Sequence, residues 1–382
     1  YFIYTSCAAG SPSMSIITPL FLVYLVLFLC HHLNPSFGVV PVDPLRKAIL
    51  ADNITALADA AFNLGSDIYK LGELDNQSYL HLAIHYGHLK SIHKLIKLDR
   101  FKKLYGAIAH LQYAISIDQC QLLPKLIEYF TTYRKTNPME LKDLDDLTLL
   151  SFATATGNIA CVKALIEVGA DRHAENSEGS QPIHVAATFN HPAMIKYLHE
   201  ELGADVNVVN VHGFSPLHLA AVYGRIESIK MLLKLGADVD LANHYDETPL
   251  VSSTIKNEAA VVELLYKEGA DVSYNKNKDG LQPLHYAAAN NAVDVARLLV
   301  GWGVDVDTRD DDDYTPLFFA VAGNGGSEEM IETLIDLGGD IYATTNDELN
   351  PIDLKAFALD LGNDTIVKLI ERWQAGPDPD EL

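Results

Sequence analysis

The sequence predicts an all-α solenoid of short helix–turn–helix repeats, each ending in a projecting finger, and three observations carry that prediction. A six-residue phrase recurs at Gln181-Pro182-Ile183-His184-Val185-Ala186, Ser215-Pro216-Leu217-His218-Leu219-Ala220, Thr248-Pro249-Leu250, Gln282-Pro283-Leu284-His285-Tyr286-Ala287 and Thr315-Pro316-Leu317-Phe318-Phe319-Ala320, with first residues 34, 33, 34 and 33 apart. Thr148-Leu149-Leu150-Ser151-Phe152-Ala153 continues the step of 33 toward the N-terminus. About 21 residues into each repeat stands a second landmark, at Gly169-Ala170-Asp171, Gly203-Ala204-Asp205, Gly236-Ala237-Asp238, Gly269-Ala270-Asp271, Gly303-Val304-Asp305 and Gly338-Gly339-Asp340. Between the two, apolar residues fall at i, i+3 and i+4, as in Val162, Leu165, Ile166 and Ile229, Leu232, Leu233, which is one face of a helix. Two landmarks in phase over six repeats mark an array that grows by addition, not a set of independent domains.

Each repeat can be justified element by element. Thr or Ser at the first position caps the first helix by accepting a backbone N–H, and the Pro after it wastes no hydrogen bond while presetting φ. Leu217, Leu219 and Ala220 fall on one helical face, and the pairs Ala186-Ala187, Ala220-Ala221 and Ala287-Ala288 let neighbouring repeats approach closely. Gly157 and Gly224 can end the first helix in the left-handed conformation. The second helix carries the apolar stripe, and Gly-Ala-Asp ends it and opens the finger. A single repeat buries only part of its apolar face, so stability has to come from stacking neighbours.

These phrases resemble the ankyrin repeat, whose period is about 33 residues with a Thr-Pro-Leu-His signature. The resemblance implies an ankyrin-repeat solenoid with β-hairpin fingers and a role in binding other proteins. It is most specific from about 145 to 345. Ser78-Tyr79-Leu80-His81-Leu82-Ala83 with Gly87 reads as a further repeat, and Leu111 to Ala114 with Leu122 to Ile127 as a worn one. Pro44-Leu45 to Gly65-Ser66-Asp67 and Pro351-Ile352 to Trp373 look like terminal caps. Nine or ten repeats result, with the irregular stretch Thr131 to Asp146 lengthening one step to about 39 residues. The expected organisation is a leader over 1–38, degenerate repeats and a cap over 39–134, regular repeats over 135–345, a C-terminal cap repeat over 346–373 and a flexible acidic tail over 374–382.

The chain has 382 residues, 48% of them hydrophobic, and a formal net charge of −23. The apolar share excludes wholesale disorder, and the acidic balance argues against nucleic acid, whose binding rests on Lys and Arg neutralising phosphates. The charge is unevenly placed. Segment 43–134 carries 11 basic and 9 acidic residues, whereas 301–382 carries 4 and 20. No charged side chain precedes Asp43. Tyr1 is not an initiator, and after Met14 an unbroken apolar run from Leu20 to Cys30 has the length of a signal-peptide core and is short for a bilayer span. Ser36-Phe37-Gly38 offers small residues at the two positions a signal peptidase reads, with Val39 as the mature start. The expected location is therefore the secretory pathway, either the ER lumen or outside the cell; an uncleaved leader would instead anchor the chain to a membrane. The terminal Pro379-Asp380-Glu381-Leu382 matches three positions of an ER-retention tetrapeptide, with Pro where Lys or His is usual. Asn53-Ile54-Thr55, Asn76-Gln77-Ser78 and Asn363-Asp364-Thr365 are glycosylation triplets of use only in a lumen.

Candidate chemistry is sparse. His81, His184, His218 and His285 belong to the repeat and are explained by a buried imidazole bridging the backbone of adjacent fingers. His81, His85 and His88 could share a helical face, but no carboxylate completes a catalytic metal set. Cys120 and Cys161 do not make a disulfide framework, and Cys161 takes a core aliphatic position as a buried thiol. No phosphate loop, Gly-x-Ser-x-Gly elbow or His-Glu-x-x-His helix occurs, so no enzyme activity, cofactor, metal or small-molecule substrate is expected. The eighth position of each repeat, read as opening onto the concave side, holds Tyr86, Ile117, Thr156, Phe189, Tyr223, Lys256, Asn290 and Gly323. Tyr86, Phe189 and Tyr223 are the aromatic anchors there, and the finger tips add Val211-His212, His244-Tyr245 and Asn277-Lys278. Asp310, Asp311, Asp312 and Asp313 form an acidic finger suited to a basic partner. An EF-hand would need a Gly and a Glu that are missing. At the opposite end Lys90, Lys94, Lys97, Arg100, Lys102 and Lys103 make a basic surface. The expected function is a non-enzymatic scaffold binding a protein through its concave groove and fingers. The alternatives are a latrotoxin-like or salivary toxin-type secreted ankyrin protein, a membrane-anchored cytosolic adaptor, and an enzyme-associated subunit or an enzyme with a site in the irregular stretch from 97 to 147.

Overall fold

The computed structural model of the chain describes residues 47–48, 50–53, 55, 79–97, 107–134, 142–143, 147–274, 278–323, 326–345 and 351–375. The leader, most of the N-terminal cap, Asn76, Asn277 and the acidic tail end lie outside the described residues. The chain falls into two compact units, one of 13–189 with 200–203 and one of 190–199 with 204–382 together with 1–12. The first holds α1 (Tyr79–His85), α2 (Leu89–Lys97), α3 (Ala107–Ser116), a 3₁₀ turn (Cys120–Leu122), α4 (Leu123–Arg134), α5 (Leu149–Ala155), α6 (Ile159–Glu167) and α7 (Pro182–Thr188). In the second lie α8 (Pro192–Glu200, all but its last residue), α9 (Pro216–Val222), α10 (Ile226–Lys234), α11 (Pro249–Ile255), α12 (Ala259–Lys267), α13 (Pro283–Ala289) and α14 (Val293–Gly301). It continues with α15 (Pro316–Ala322), α16 (Glu328–Asp336), α17 (Leu354–Asp360) and α18 (Asp364–Ala375). In each unit a first helix packs on its own second helix and on the first helix of the next repeat, as α9 does on α10 and α11. Among the described residues no helix is long and apolar enough to cross a membrane.

The capping chemistry follows the sequence. Thr148 Oγ1 accepts from Ser151 N at 3.1 Å, Ser215 Oγ from His218 N at 3.3 Å and Thr248 Oγ1 from Val251 N at 3.4 Å. Thr315 keeps the extended cap backbone, but its hydroxyl is buried without a hydrogen bond. Pro occupies the first helical position in α9, α11, α13 and α15. The small residues behind these caps are fully enclosed: Ala220 and Ala221 have no exposed surface, and a Cβ on Gly323 would collide with the Ala289 carbonyl oxygen. Neighbouring first helices therefore approach almost backbone to backbone.

The repeat histidines do two jobs at once. Nδ1 accepts the backbone N–H of the cap residue, from Gln181 at 3.1 Å, Ser215 at 3.1 Å and Gln282 at 3.0 Å. That leaves the proton on Nε2, which donates to the next finger at Glu247 O (3.0 Å) for His218 and at Tyr314 O (3.2 Å) for His285. Burial pushes the His285 pKa down to about 4, so the ring is neutral at physiological pH. His81 keeps the same 29-residue reach, but its Nε2 meets a side chain, His110 Nδ1, at 3.0 Å. Burial also pushes His81 down to about 4.

The fingers, expected as β-hairpins, are tighter than that. Among the described residues no strand forms, only the isolated bridges Lys142 to Thr148 and Thr344 to Asp353. Two backbone bonds close each finger: Asn176 N to Ser180 O with Gly179 N to Asn176 O, Asn210 N to Phe214 O with Gly213 N to Asn210 O, Asn243 N to Glu247 O with Asp246 N to Asn243 O, and Asp310 N to Tyr314 O with Asp313 N to Asp310 O. The same Asn or Asp turns its side-chain oxygen inward. Asn210 Oδ1 accepts from His212 N and Phe214 N, both at 3.0 Å, and Asn243 Oδ1 from Tyr245 N and Glu247 N. A side chain that satisfies two donors replaces the ladder a longer hairpin would need. At the finger base, Asn207 Oδ1 accepts from Asp238 N at 2.8 Å, Asp240 Oδ1 from Asp271 N at 3.1 Å and Asp307 Oδ1 from Asp340 N at 2.9 Å, one rung per pair of repeats.

The sequence reading treats Cys161 as a buried thiol, and this is corrected. Cys161 is buried in α6 and joined by a disulfide to Cys120 in the 3₁₀ turn, with Cα atoms 4.6 Å apart. Asn158 positions the pair. Its Oδ1 caps α6 through Cys161 N at 3.2 Å, and its Nδ2 donates to Asp118 Oδ1 at 2.7 Å beside Cys120. The bond links the 3₁₀ turn that leads into α4 to the second helix of the next repeat, across the irregular stretch. The pairing was hidden because the worn repeat carries no landmark to phase Cys120 against Cys161.

Gly213, at φ +81°, marks the closest approach of two fingers: a Cβ there would stand 2.9 Å from the Asn243 carbonyl carbon and collide with the His244 backbone nitrogen. Gly236, at φ +90°, faces open space. Alanine at Gly236 should cost about 1–2 kcal/mol of backbone strain, and alanine at Gly213 at least about 2 kcal/mol more, as read from urea unfolding of both variants.

Candidate partner-binding fingers

The anchors at the eighth position are residues that close the first helices. Thr156, Phe189, Tyr223, Lys256, Asn290 and Gly323 are the C-caps of α5, α7, α9, α11, α13 and α15. Two of them bond back into their own helix, Thr156 Oγ1 to Ala153 O at 2.7 Å and Asn290 Nδ2 to Tyr286 O at 2.9 Å. Phe189 lies in the first compact unit and Tyr223 in the second, each half-buried. The Tyr223 hydroxyl oxygen is buried, with Arg225 Cζ 6.0 Å from the ring centre. Tyr86 is 51% exposed and lies against His85 and His88 with ring centres 5.1 and 5.8 Å away. His81, His85 and His88 do not converge on a metal position: His81 bonds His110, and His85 Nδ1 stands 3.5 Å from Tyr113 Oη. Among the described residues one group of donors does converge, Asp118, Cys120 and Cys161, within 4.8 Å, and there the two sulfurs are bonded to each other.

The finger tips of the second unit are the better exposed row. Val209, Val211 and Tyr245 are 41%, 56% and 49% exposed on adjacent fingers. His244 N donates to His212 O at 3.1 Å, Tyr245 Oη stands 3.5 Å from His212 Nδ1, and the Tyr245 and Phe214 rings are 6.4 Å apart. His244 and Lys278 are exposed on their tips. Sequence reasoning missed Tyr342, the most exposed large apolar residue described at 62%. Its signal was available: Tyr342 takes the place that Asn207, Asp240 and Asp307 hold in earlier repeats. Its hydroxyl reaches Gln374 O at 3.2 Å.

The four aspartates divide by role. Asp310 Oδ1 accepts from Tyr314 N at 2.7 Å and Asp312 N at 3.1 Å, the part played by Asn210 and Asn243 in other fingers. Burial, with help from Asp312 and Asp311, raises its pKa to about 6. Asp313 stands at φ 64°, where Gly213 and Gly280 sit in their fingers, and its carbonyl accepts from Arg309 Nη1 at 2.9 Å. Asp311 and Asp312 are exposed, and Asp311 N donates to Asp279 O at 3.0 Å, locking its tip to the preceding one. Asp310 and Asp313 thus build the finger, and Asp311 and Asp312 present its charge. Burial also raises the Asp307 pKa, reinforced by Asp340 and Asp305.

Comparison with known proteins agrees with the repeat geometry. The ankyrin-repeat family model, three copies per match, fits overlapping windows from 111–210 through 251–345, more than half of the chain. Human protein phosphatase 1 regulatory subunit 27 is 38% identical over 75 residues, 20% of this chain and 47% of that protein. An ankyrin repeat protein of fowlpox virus (strain NVSL) is 25% identical over 135 residues, 34% of this chain and 88% of the viral one. The chain thus spans about half the length of the human relative. The crystal structure of the human ASB11 ankyrin repeat domain superposes with a TM-score of 0.49 at 25% identity, covering 60% of this chain and 98% of that one.

A carboxylate whose folded pKa is raised stabilises the fold fully below its unfolded pKa, and the contribution is lost as pH rises through the folded value. For Asp310 that window runs from about 4 to about 6. Asp310→Asn keeps the acceptor oxygen and removes the charge. Discounted for the half-exposed position, the variant should be more stable than the parent by about 1 kcal/mol at pH 7 and equal to it near pH 4. Paired urea titrations at the two pH values measure the difference, and His285, common to both proteins, cancels.

Proposed function

The chain belongs to the ankyrin-repeat family, and from that premise we propose that it is a non-enzymatic scaffold that binds a protein through its fingers, working in the secretory pathway or outside the cell. The observation that carries the binding role is the row of apolar and aromatic side chains exposed on finger tips whose backbone is locked. Val211 and Tyr245 stand out from such tips, with Asp311 and Asp312 on a later one. Pre-organised tips lose little entropy on binding, and rigid exposed aromatics make efficient anchors. The acidic tip favours a partner with a basic segment, which charge would also steer. A relative named as a regulatory subunit of protein phosphatase 1 supports a role exercised through another protein.

The location rests on the leader and on Cys120–Cys161. Disulfides persist in oxidising compartments and are rare in the cytosol, and this one uses both cysteines outside the leader. A cytosolic, membrane-anchored adaptor would hold the pair reduced. A toxin-type secreted ankyrin protein shares the oxidising compartment and is the second reading.

Two measurements test these statements. Non-reducing peptide mapping of the chain recovered from the culture medium should yield the Cys120–Cys161 linked peptide. Cys120→Ser with Cys161→Ser should destabilise the first unit by up to about 4 kcal/mol, the loop entropy released over a 41-residue separation. Two free thiols in the native chain would remove the support for an oxidising location. Once a partner is in hand, Tyr245→Ala with Asp311→Asn and Asp312→Asn should weaken its binding by tenfold or more with an unchanged melting curve. Unaltered affinity would move the site off the fingers.

A further inference from the structure

We propose that Asp118, Cys120 and Cys161 form a zinc site when the Cys120–Cys161 bond is reduced, so that a metal ion takes over the link that the disulfide makes in the oxidised chain. The inference rests neither on the compartment nor on the fingers. Three observations carry it. Donor atoms of the three side chains all lie within 4.8 Å of one another. A tetrahedral zinc ion with Zn–S bonds of about 2.3 Å holds two thiolates about 3.8 Å apart, which fits inside that span. Asp118 Oδ1 also approaches Cys120 Sγ to 3.4 Å, and a disulfide sulfur has no proton to place between them. A carboxylate turned toward a sulfur without a shared proton gains nothing from the disulfide, whereas a cation between the two would bind both. Finally, Asn158 holds the carboxylate in place. Its Nδ2 donates to Asp118 Oδ1 at 2.7 Å, while its own Oδ1 is fixed on Cys161 N at 3.2 Å as the cap of α6. A carboxylate offers several lone pairs, so the one taken by Asn158 leaves others for a metal, and an outer hydrogen bond of this kind fixes the direction of a ligand.

The donor set selects the ion. Two thiolates call for a soft or borderline metal and the carboxylate for a harder one; zinc accepts both, whereas calcium and magnesium take oxygen alone. Cys120 and Cys161 are buried and Asp118 is exposed. The ion therefore sits at the edge of the repeat interface, and water completes the tetrahedron on the solvent side.

The step starts with a dithiol reductant. One of its thiolates attacks a sulfur of the pair, the S–S bond breaks, and its second thiol closes on the mixed disulfide. The reductant leaves as a cyclic disulfide, having passed two electrons and two protons to Cys120 and Cys161. Zinc then displaces the two thiol protons to solvent, and two Zn–S bonds and one Zn–O bond form without further redox change. The same two elements, the 3₁₀ turn and α6, are joined in both states.

The test uses the full chain with Cys7→Ser and Cys30→Ser, which leaves Cys120 and Cys161 as its cysteines. It is reduced with a phosphine, which leaves as its oxide, then freed of reagent without air and titrated with Co²⁺ as a coloured stand-in for zinc. The reduced chain should bind one Co²⁺ with a sulfur-to-metal charge-transfer band and the visible bands of a tetrahedral ion, and Zn²⁺ should bleach both. Zinc should raise the melting temperature of the reduced chain and leave that of the oxidised chain unchanged. Asn158→Ser, which keeps a capping oxygen, and Asp118→Asn should each weaken uptake by about tenfold or more, and Cys161→Ser should remove the charge-transfer band. A reduced chain that is folded by circular dichroism and shows no band overturns the site, as does one that unfolds on reduction and is not restored by zinc. Unchanged affinity in Asp118→Asn overturns the three-donor set, and equal uptake by the oxidised chain moves the metal elsewhere. None of these results bears on binding through the fingers.

Discussion

The interaction on which the array depends is the doubly bonded imidazole at the third helical position. In His218 and His285 one nitrogen takes the N–H that begins a helix and the other reaches a carbonyl at the far side of the next finger. A single neutral ring thereby ties the start of one repeat to the end of the following connection, and buried polar groups on both sides are satisfied together. Lysine offers no acceptor, and glutamine carries its acceptor and donor on a stem with one more rotatable bond. The low pKa of His285 is a consequence of the same burial that makes the bridge worth having.

The regular repeats were legible because each constraint is local. A cap, a proline, a stripe and a glycine act within a few residues, so their phase is written along the chain. What was not legible needed a third dimension. Cys120 and Cys161 come together through Asn158, which caps one helix with its oxygen and reaches the neighbouring repeat with its nitrogen, and no spacing rule anticipates that. The roles within Asp310 to Asp313 were half visible: aligning Asp310 with Asn176, Asn210 and Asn243 identifies the turn-builder, while charge alone made the four residues look equivalent. The exposure of Val209 depends on where its finger points, which sequence does not state, whereas Tyr342 stands at the finger-base position of Asn207, Asp240 and Asp307 and was legible there.

The rungs at the finger bases keep the architecture apart from the side chains proposed to bind. Asn207, Asp240 and Asp307 spend their side chains on the next repeat, as do the backbone groups of the tips. On the proposed reading a partner meets the side chains at the tips, whose replacement leaves these backbone bonds intact. Val211, Tyr245, Lys278 and Asp311 differ in every chemical respect yet occupy one kind of platform.

Each rung has its donor in one repeat and its acceptor in the one before, at a fixed phase. Adding or removing a whole repeat preserves that phase, since the new neighbour presents the same donor in the same place. Changes of one or two residues are absorbed between the landmarks: the Asp307–Asp340 rung spans 33 residues where the two earlier rungs span 31. Variation in such a chain is therefore freest in whole repeats and in exposed side chains: duplication lengthens the array, and point substitution at the tips alters the surface that the proposed partner would meet. The widest departure from the period falls in the sequence between Thr131 and Asp146, and the Cys120–Cys161 bond spans that stretch.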